Sequence, residues 1–69
     1  MDKEELLNRF TYHPVKPGQQ EKYVAIRAKA LELALLINEL TPASREQSLS
    51  ITSLEEVTFY ANAAIARHT

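Results

Sequence analysis

Tyr12, His13 and Lys16 fall within the string Thr-Tyr-His-Pro-Val-Lys-Pro-Gly-Gln, residues 11–19, and Arg27 and Lys29 follow on the next segment. A tyrosine ring offers a stacking surface, and a guanidinium or ammonium offers charge-assisted hydrogen bonds. Together they are what a flat base attached to a phosphate requires. The plainer alternative has Tyr12 packing in a corner of the core and Arg27 in water, its stem laid on apolar surface.

A second set recurs at alternating three- and four-residue spacing: Arg45, Ser48, Thr52, Glu55, Phe59, Asn62 and Ala66. This spacing places them on one stripe of a helix. Ser48, Thr52 and Asn62 supply neutral donors and acceptors, and Arg45 adds a planar fork suited to a phosphate or a base edge. The same stripe would also serve as a network of inter-helix hydrogen bonds, with Glu55 pairing Arg45, that fixes register or subunit identity. Arg67, one residue before His68, stands where a cation complements a helix C-terminus, which is a sufficient role for it.

The ingredients of catalysis are scarce. Asp2 is the only aspartate, there is no cysteine, and no Gly-rich phosphate loop or Ser-His pairing at a suggestive spacing occurs. His13 could act as a general base, but a lone loop histidine more often caps or packs. His13 and His68 have no zinc-binding company, and the lack of thiols removes both disulfides and thiolate metal sites. A protein that binds without reacting, with no cofactor and no metal, is expected.

The 69 residues carry a formal net charge of −1. That balance argues against a partner such as long nucleic acid, which wants a strongly basic face, but allows small anionic ligands. The first eight residues are charged rather than apolar and no run reaches the roughly 18 apolar residues of a membrane span, so a soluble, intracellular protein with no membrane partner is expected.

The elements that position these groups follow from caps and breakers. Asp2 caps a brief first helix, with Glu4 and Glu5 in its first turn and Leu6, Leu7 and Phe10 on an apolar side. The two prolines and the single glycine of residues 11–19 make an ordered non-helical loop. From about Gln19 to Leu40 neither Gly nor Pro interrupts a helix whose stripe Tyr23, Ile26, Ala30, Leu33, Ile37 and Leu40 is apolar. Val24, Ala28, Leu31 and Leu35 form a separate apolar stripe on it, which one antiparallel neighbour cannot cover. A further helix begins at Thr41-Pro42 or at Ser44 with Gln47, both valid starts, and runs to about Ala66. Its apolar face comprises Leu49, Leu54, Val57, Tyr60, Ala61, Ala64 and Ile65, beside the polar stripe, which is expected to face the apolar stripe of the preceding helix across the turn. The fold class is thus all-α: a short N-terminal helix, a Pro/Gly loop and an antiparallel two-helix hairpin in one domain over residues 1–69. A chain of this size buries only about 60% of its unfolded surface, and oligomerisation is the common remedy left to it.

Four ordered blocks carry a family resemblance. They are Phe10-Thr-Tyr12-His13-Pro14; Tyr23-x-x-Ile26-Arg27; Pro42-Ala-Ser44-Arg45-Glu46-x-Ser48-Leu49-x-x-Thr52-x-Leu54-Glu55-Glu56; and Ala61-Asn62-Ala63-Ala64-Ile65-Ala66-Arg67. With these the chain resembles the phage anti-CBASS cyclic-nucleotide sponges, and the anti-Thoeris sponge for cyclic ADP-ribose isomers looks like a relative with the same helical hairpin.

The resemblance implies a small helical protein that assembles as a homohexamer and sequesters, without degrading, the cyclic oligonucleotide signals of bacterial CBASS immunity, in the cytoplasm of the infected host. It implies two kinds of pocket at subunit junctions, one for cyclic dinucleotides such as 3',3'-cGAMP and one for cyclic trinucleotides. Tyr12 corresponds to the family's base-stacking tyrosine, and Arg27 to its cation on the second helix, where some members use lysine; His13 and Lys29 accompany them. Arg45, Ser48, Thr52 and Arg67 are the contributors expected at the trinucleotide pocket. Two other functions stay open: a structural helical adaptor, and a sponge for a cyclic ADP-ribose isomer.

Overall fold

The computed structural model describes residues 1–69, which form three α-helices and no strand: α1 (Lys3–Phe10), α2 (Gln19–Leu40) and α3 (Arg45–His68). Asp2 caps α1, its carboxylate accepting from the Glu4 amide at 3.2 Å, and Glu4 and Glu5 fill the first turn where the helix dipole favours negative charge. Gly18 enters α2 at φ +85°, a left-handed conformation that side chains with a Cβ rarely adopt, which accounts for glycine directly after Pro17.

Ser44 is the residue that starts α3. Its hydroxyl accepts from the Gln47 amide at 3.1 Å. The Gln47 side chain does not reach back to the Ser44 amide to make the cap reciprocal. It turns back to the end of α2, donating to the Thr41 carbonyl at 3.0 Å and the Asn38 carbonyl at 3.4 Å. Those two carbonyls lie at the end of α2, where helices leave such groups unpaired. At the opposite end, the Gln19 side chain in the first turn of α2 donates to the Ile65 carbonyl in the last turns of α3. With the start of each helix tied to the end of the other, α2 and α3 run side by side in opposite directions, and they are the helix pair in extensive contact.

On α2 the side facing α3 comprises Gln19, Tyr23, Ile26, Ala30, Ala34 and Ile37, close to the expected apolar stripe. Leu33 and Leu40 are exposed, and Ala34 takes the place expected of Leu33. On α3 the expectation is corrected. The residues turned toward α2 are Gln47, Ser50, Ile51, Leu54, Thr58, Ala61 and Ile65, whereas Arg45, Ser48, Thr52, Glu55 and Phe59 of the polar stripe are exposed; only its last members, Asn62 and Ala66, are half-buried. The two stripes therefore do not face each other within one chain. No ion pair joins Arg45 to Glu55, which lie about 15 Å apart along the same helix axis.

The chain measures 45 × 29 × 13 Å, about one helix thick in its shortest direction. A stable domain packs at least two layers around a core, and here no second layer exists. Ile65 is accordingly the only buried hydrophobic residue, and Val24, Leu31 and Leu35 of the second α2 stripe are exposed along with Leu49, Val57, Phe59 and Tyr60 of α3. The accessible surface of 5662 Å² exceeds the roughly 4,400 Å² expected of a compact monomer of this mass.

Candidate functional site

The loop between α1 and α2 is held by a polar network centred on the C-terminal turn of α3. The His13 ring Nε2 donates to the Asn8 carbonyl at 2.6 Å; because a carbonyl can only accept, this nitrogen carries the proton. Asn8 in turn donates through Nδ2 to the Arg67 carbonyl at 3.3 Å, and the Arg67 guanidinium donates to the Arg9 carbonyl at 3.4 Å. Arg67 thus serves a helix C-terminus, but that of α1 rather than its own. On the other side of the loop, Lys16 Nζ reaches the Thr69 main-chain oxygen at 3.1 Å.

Gln19 is the residue that reading by type and spacing did not single out. It is 3% exposed, the lowest value in the chain. Its Oε1 accepts from the Lys16 amide at 2.9 Å, and its Nε2 donates to the Ile65 carbonyl and the Thr69 hydroxyl, both at 3.1 Å. A buried carboxamide is tolerated only when both its ends are paired, and here they are. The one available signal was its place immediately after Pro17-Gly18, at the point where a loop turns into a helix.

Tyr12 lies within the first of these clamps, between Asn8 and His13, with the Gln19 clamp farther along the loop; it is 83% exposed, with no hydrogen-bond partner. It does not pack in a core corner. Its ring stands in solvent on a backbone anchored before and after it.

Arg27 lines a groove of about 220 Å³ between α2 and α3, shared with Leu31, Ile51, Glu55 and Phe59, and makes no ion pair. Lys29 lies two residues on, about 200° around the helix. It lines the other side of the α2–α3 seam, with Ile26, Leu33 and Val57, and pairs with Glu32 at 3.2 Å. The structure does not bring these two cations together.

Arg45, Ser48 and Thr52 are all exposed on one face of the first two turns of α3, and Arg67 lies about 22 Å beyond Thr52 and about 33 Å beyond Arg45 along the same axis. No small ligand bridges that distance on one chain. Arg45, Ser48 and Thr52 could meet Arg67 on one ligand only with Arg67 drawn from a different copy. No group of acidic residues and histidines suited to holding a metal ion is present.

A family model described as Acb2/Tad1, hairpin domain, matches residues 2–66. The chain belongs to that family. The matched span takes in the loop with Tyr12 and His13, all of α2 and α3 up to Ala66, and so covers the four blocks on which the resemblance rests, apart from the final Arg67. No curated protein and no solved structure matches the chain. In an Acb2/Tad1 hairpin domain, then, the features open to a ligand are an anchored loop presenting one aromatic ring, an unpaired guanidinium in a groove, and a row of exposed hydroxyls following Arg45.

Proposed function

We propose that this Acb2/Tad1 hairpin domain is a phage-encoded sponge that captures cyclic di- and trinucleotide immune signals, leaves them intact, and so starves CBASS effectors in the cytoplasm of the infected host. The observation that carries this reading is the family match over residues 2–66. The exposed Tyr12 ring and the unpaired Arg27 support it, because stacking plus a charge-assisted fork is what a cyclic dinucleotide such as 3',3'-cGAMP offers to bind. The scarcity of catalytic groups fits sequestration rather than cleavage.

In this reading the working form is a homo-oligomer, with the hexamer of the related sponges as its expected size. The single-layer shape and the uncovered Leu31/Leu35 stripe support assembly. Tyr12 stacks on a base, Arg27 holds a phosphate, and His13 fixes the loop backbone. Lys29 joins that pocket only from a different copy, given its place across the seam. A cyclic trinucleotide is taken by Arg45, Ser48 and Thr52 of one copy and Arg67 of another.

The test is calorimetry of the purified protein with 3',3'-cGAMP and with a cyclic trinucleotide. Saturable binding of either supports the sponge, and absence of binding to both rejects it. A second reading, capture of a cyclic ADP-ribose isomer, is favoured by the shared hairpin named in the family description. Binding of that ligand alone would select it. A purely structural adaptor would bind none of the three.

A further inference from the structure

We infer that Gln19 is a positioning residue for the Tyr12 loop, so that ligand capture depends on a carboxamide that never touches the ligand. The inference rests on the sponge reading for its functional consequence, while its structural half stands alone.

The loop of residues 11–18 has two attachments. The first, His13 to the Asn8 carbonyl, ties it to α1, which itself has no buried residue and meets α3 through the Asn8 and Arg67 hydrogen bonds. An eight-residue helix with no buried apolar side is a weak anchor. The second runs through Gln19. Its Oε1 fixes the Lys16 amide, and its Nε2 fixes the α3 end through the Ile65 carbonyl, the Thr69 hydroxyl and, at 3.4 Å, the Thr69 main-chain oxygen. One side chain thus sets the distance between the loop backbone and the last turn of α3. Lys16 repeats the link through Nζ, but from an exposed ammonium that water can replace.

Removing the carboxamide leaves the half-buried Lys16 amide without its acceptor, while the Ile65 carbonyl keeps only the Thr69 amide and hydroxyl of its own helix, so the bond from the loop to α3 through this side chain is lost. The loop then gains conformations in which Tyr12 points elsewhere. If the competent arrangement falls to about a tenth of the population, apparent affinity falls about tenfold.

The experiment uses the full chain with Tyr23→Phe and Tyr60→Phe, so that Tyr12 is the sole tyrosine. Gln19→Met, of similar size and without polar ends, is compared with this parent. The expected result is lower fluorescence anisotropy of Tyr12 and about tenfold weaker binding of 3',3'-cGAMP, with helix content and oligomer size unchanged. Unchanged anisotropy and affinity would overturn the inference. If Gln19→Met does not fold, Thr69→Val, which removes one acceptor from the same carboxamide, is expected to move both readouts in the same direction by less, and no movement with it is equally decisive. Anisotropy that falls in a protein whose parent binds no cyclic nucleotide would keep Gln19 as the loop's positioning residue and reject the sponge reading instead.

Discussion

The Gln19 carboxamide donates to the Ile65 carbonyl at 3.1 Å, and through that bond the first turn of α2 and the last turns of α3 become one structural unit with the Tyr12 loop. Its counterpart at the far end is Gln47, which spans from α3 to the Thr41 carbonyl at the end of α2. Two glutamines, one at each end, hold the helix pair in register, while the interior of the seam is furnished by small and medium side chains such as Ala30, Ala34 and Ala61.

Tyr12→Ala removes a ring that is 83% exposed and makes no hydrogen bond within its own chain. Its effect is expected on binding and not on folding: affinity for 3',3'-cGAMP weaker by about 10- to 100-fold, from the loss of one stacked base, with the melting temperature and oligomer size unchanged. Titration calorimetry and sedimentation on the same sample check both halves. A variant that binds normally would remove Tyr12 from the pocket.

Arg27 and Lys29 are expected to respond differently, because the first guanidinium is unpaired and the second cation is held by Glu32 on the far side of the seam. Arg27→Ala is expected to weaken dinucleotide binding by about tenfold or more, as befits a charge-assisted contact. Arg27→Lys recovers only part of it, since an ammonium lacks the planar fork. Lys29→Ala has the smaller effect, and the reverse order in competition titrations would reassign the phosphate contact.

Ser44→Ala tests the start of α3. Loss of an N-cap hydroxyl costs about 1 kcal/mol, which for a chain this short lowers the melting temperature by several degrees. Thermal unfolding followed by circular dichroism is sufficient. Pro42→Ala is expected to change stability by less, because the helix begins beyond it.

Assembly is expected to rest on the uncovered apolar stripe of α2. Leu31→Glu or Leu35→Glu puts a charge where a neighbouring copy would bury a side chain, at a cost of several kcal/mol, and should shift sedimentation toward monomer. The parent protein should also melt at a temperature that rises with concentration, as linked association requires.

Much of this fold was legible in the residues. Pro17-Gly18 before α2 and Thr41-Pro42 after it mark both its ends, and Asp2 marks the start of α1. The phase of α3 was not legible. Two stripes on that helix, Arg45/Ser48/Thr52/Glu55 and Gln47/Ser50/Ile51/Leu54, both recur at helical spacing and differ by a rotation of roughly 100° or more. Spacing alone says that each lies on one face; it does not say which face meets α2 and which stays uncovered. That ambiguity is acute in a chain with so little interior, since exposed Leu31 and Val57 look in sequence just like core. The candidate site divides in the same way. Tyr12 and Arg27 stood out because aromatic and guanidinium groups carry their chemistry on their faces. Gln19 did not, because glutamine is an ordinary residue of a solvated helix and becomes buried only through contacts 46 and 50 positions away.

The central claim is capture without cleavage, and one measurement addresses it most directly. The protein is saturated with 3',3'-cGAMP in a calorimeter, and the complex is then denatured and the nucleotide analysed. The sponge predicts saturable heat and recovery of the cyclic dinucleotide intact. Linear products, or no binding of it or of a cyclic trinucleotide, would contradict that claim.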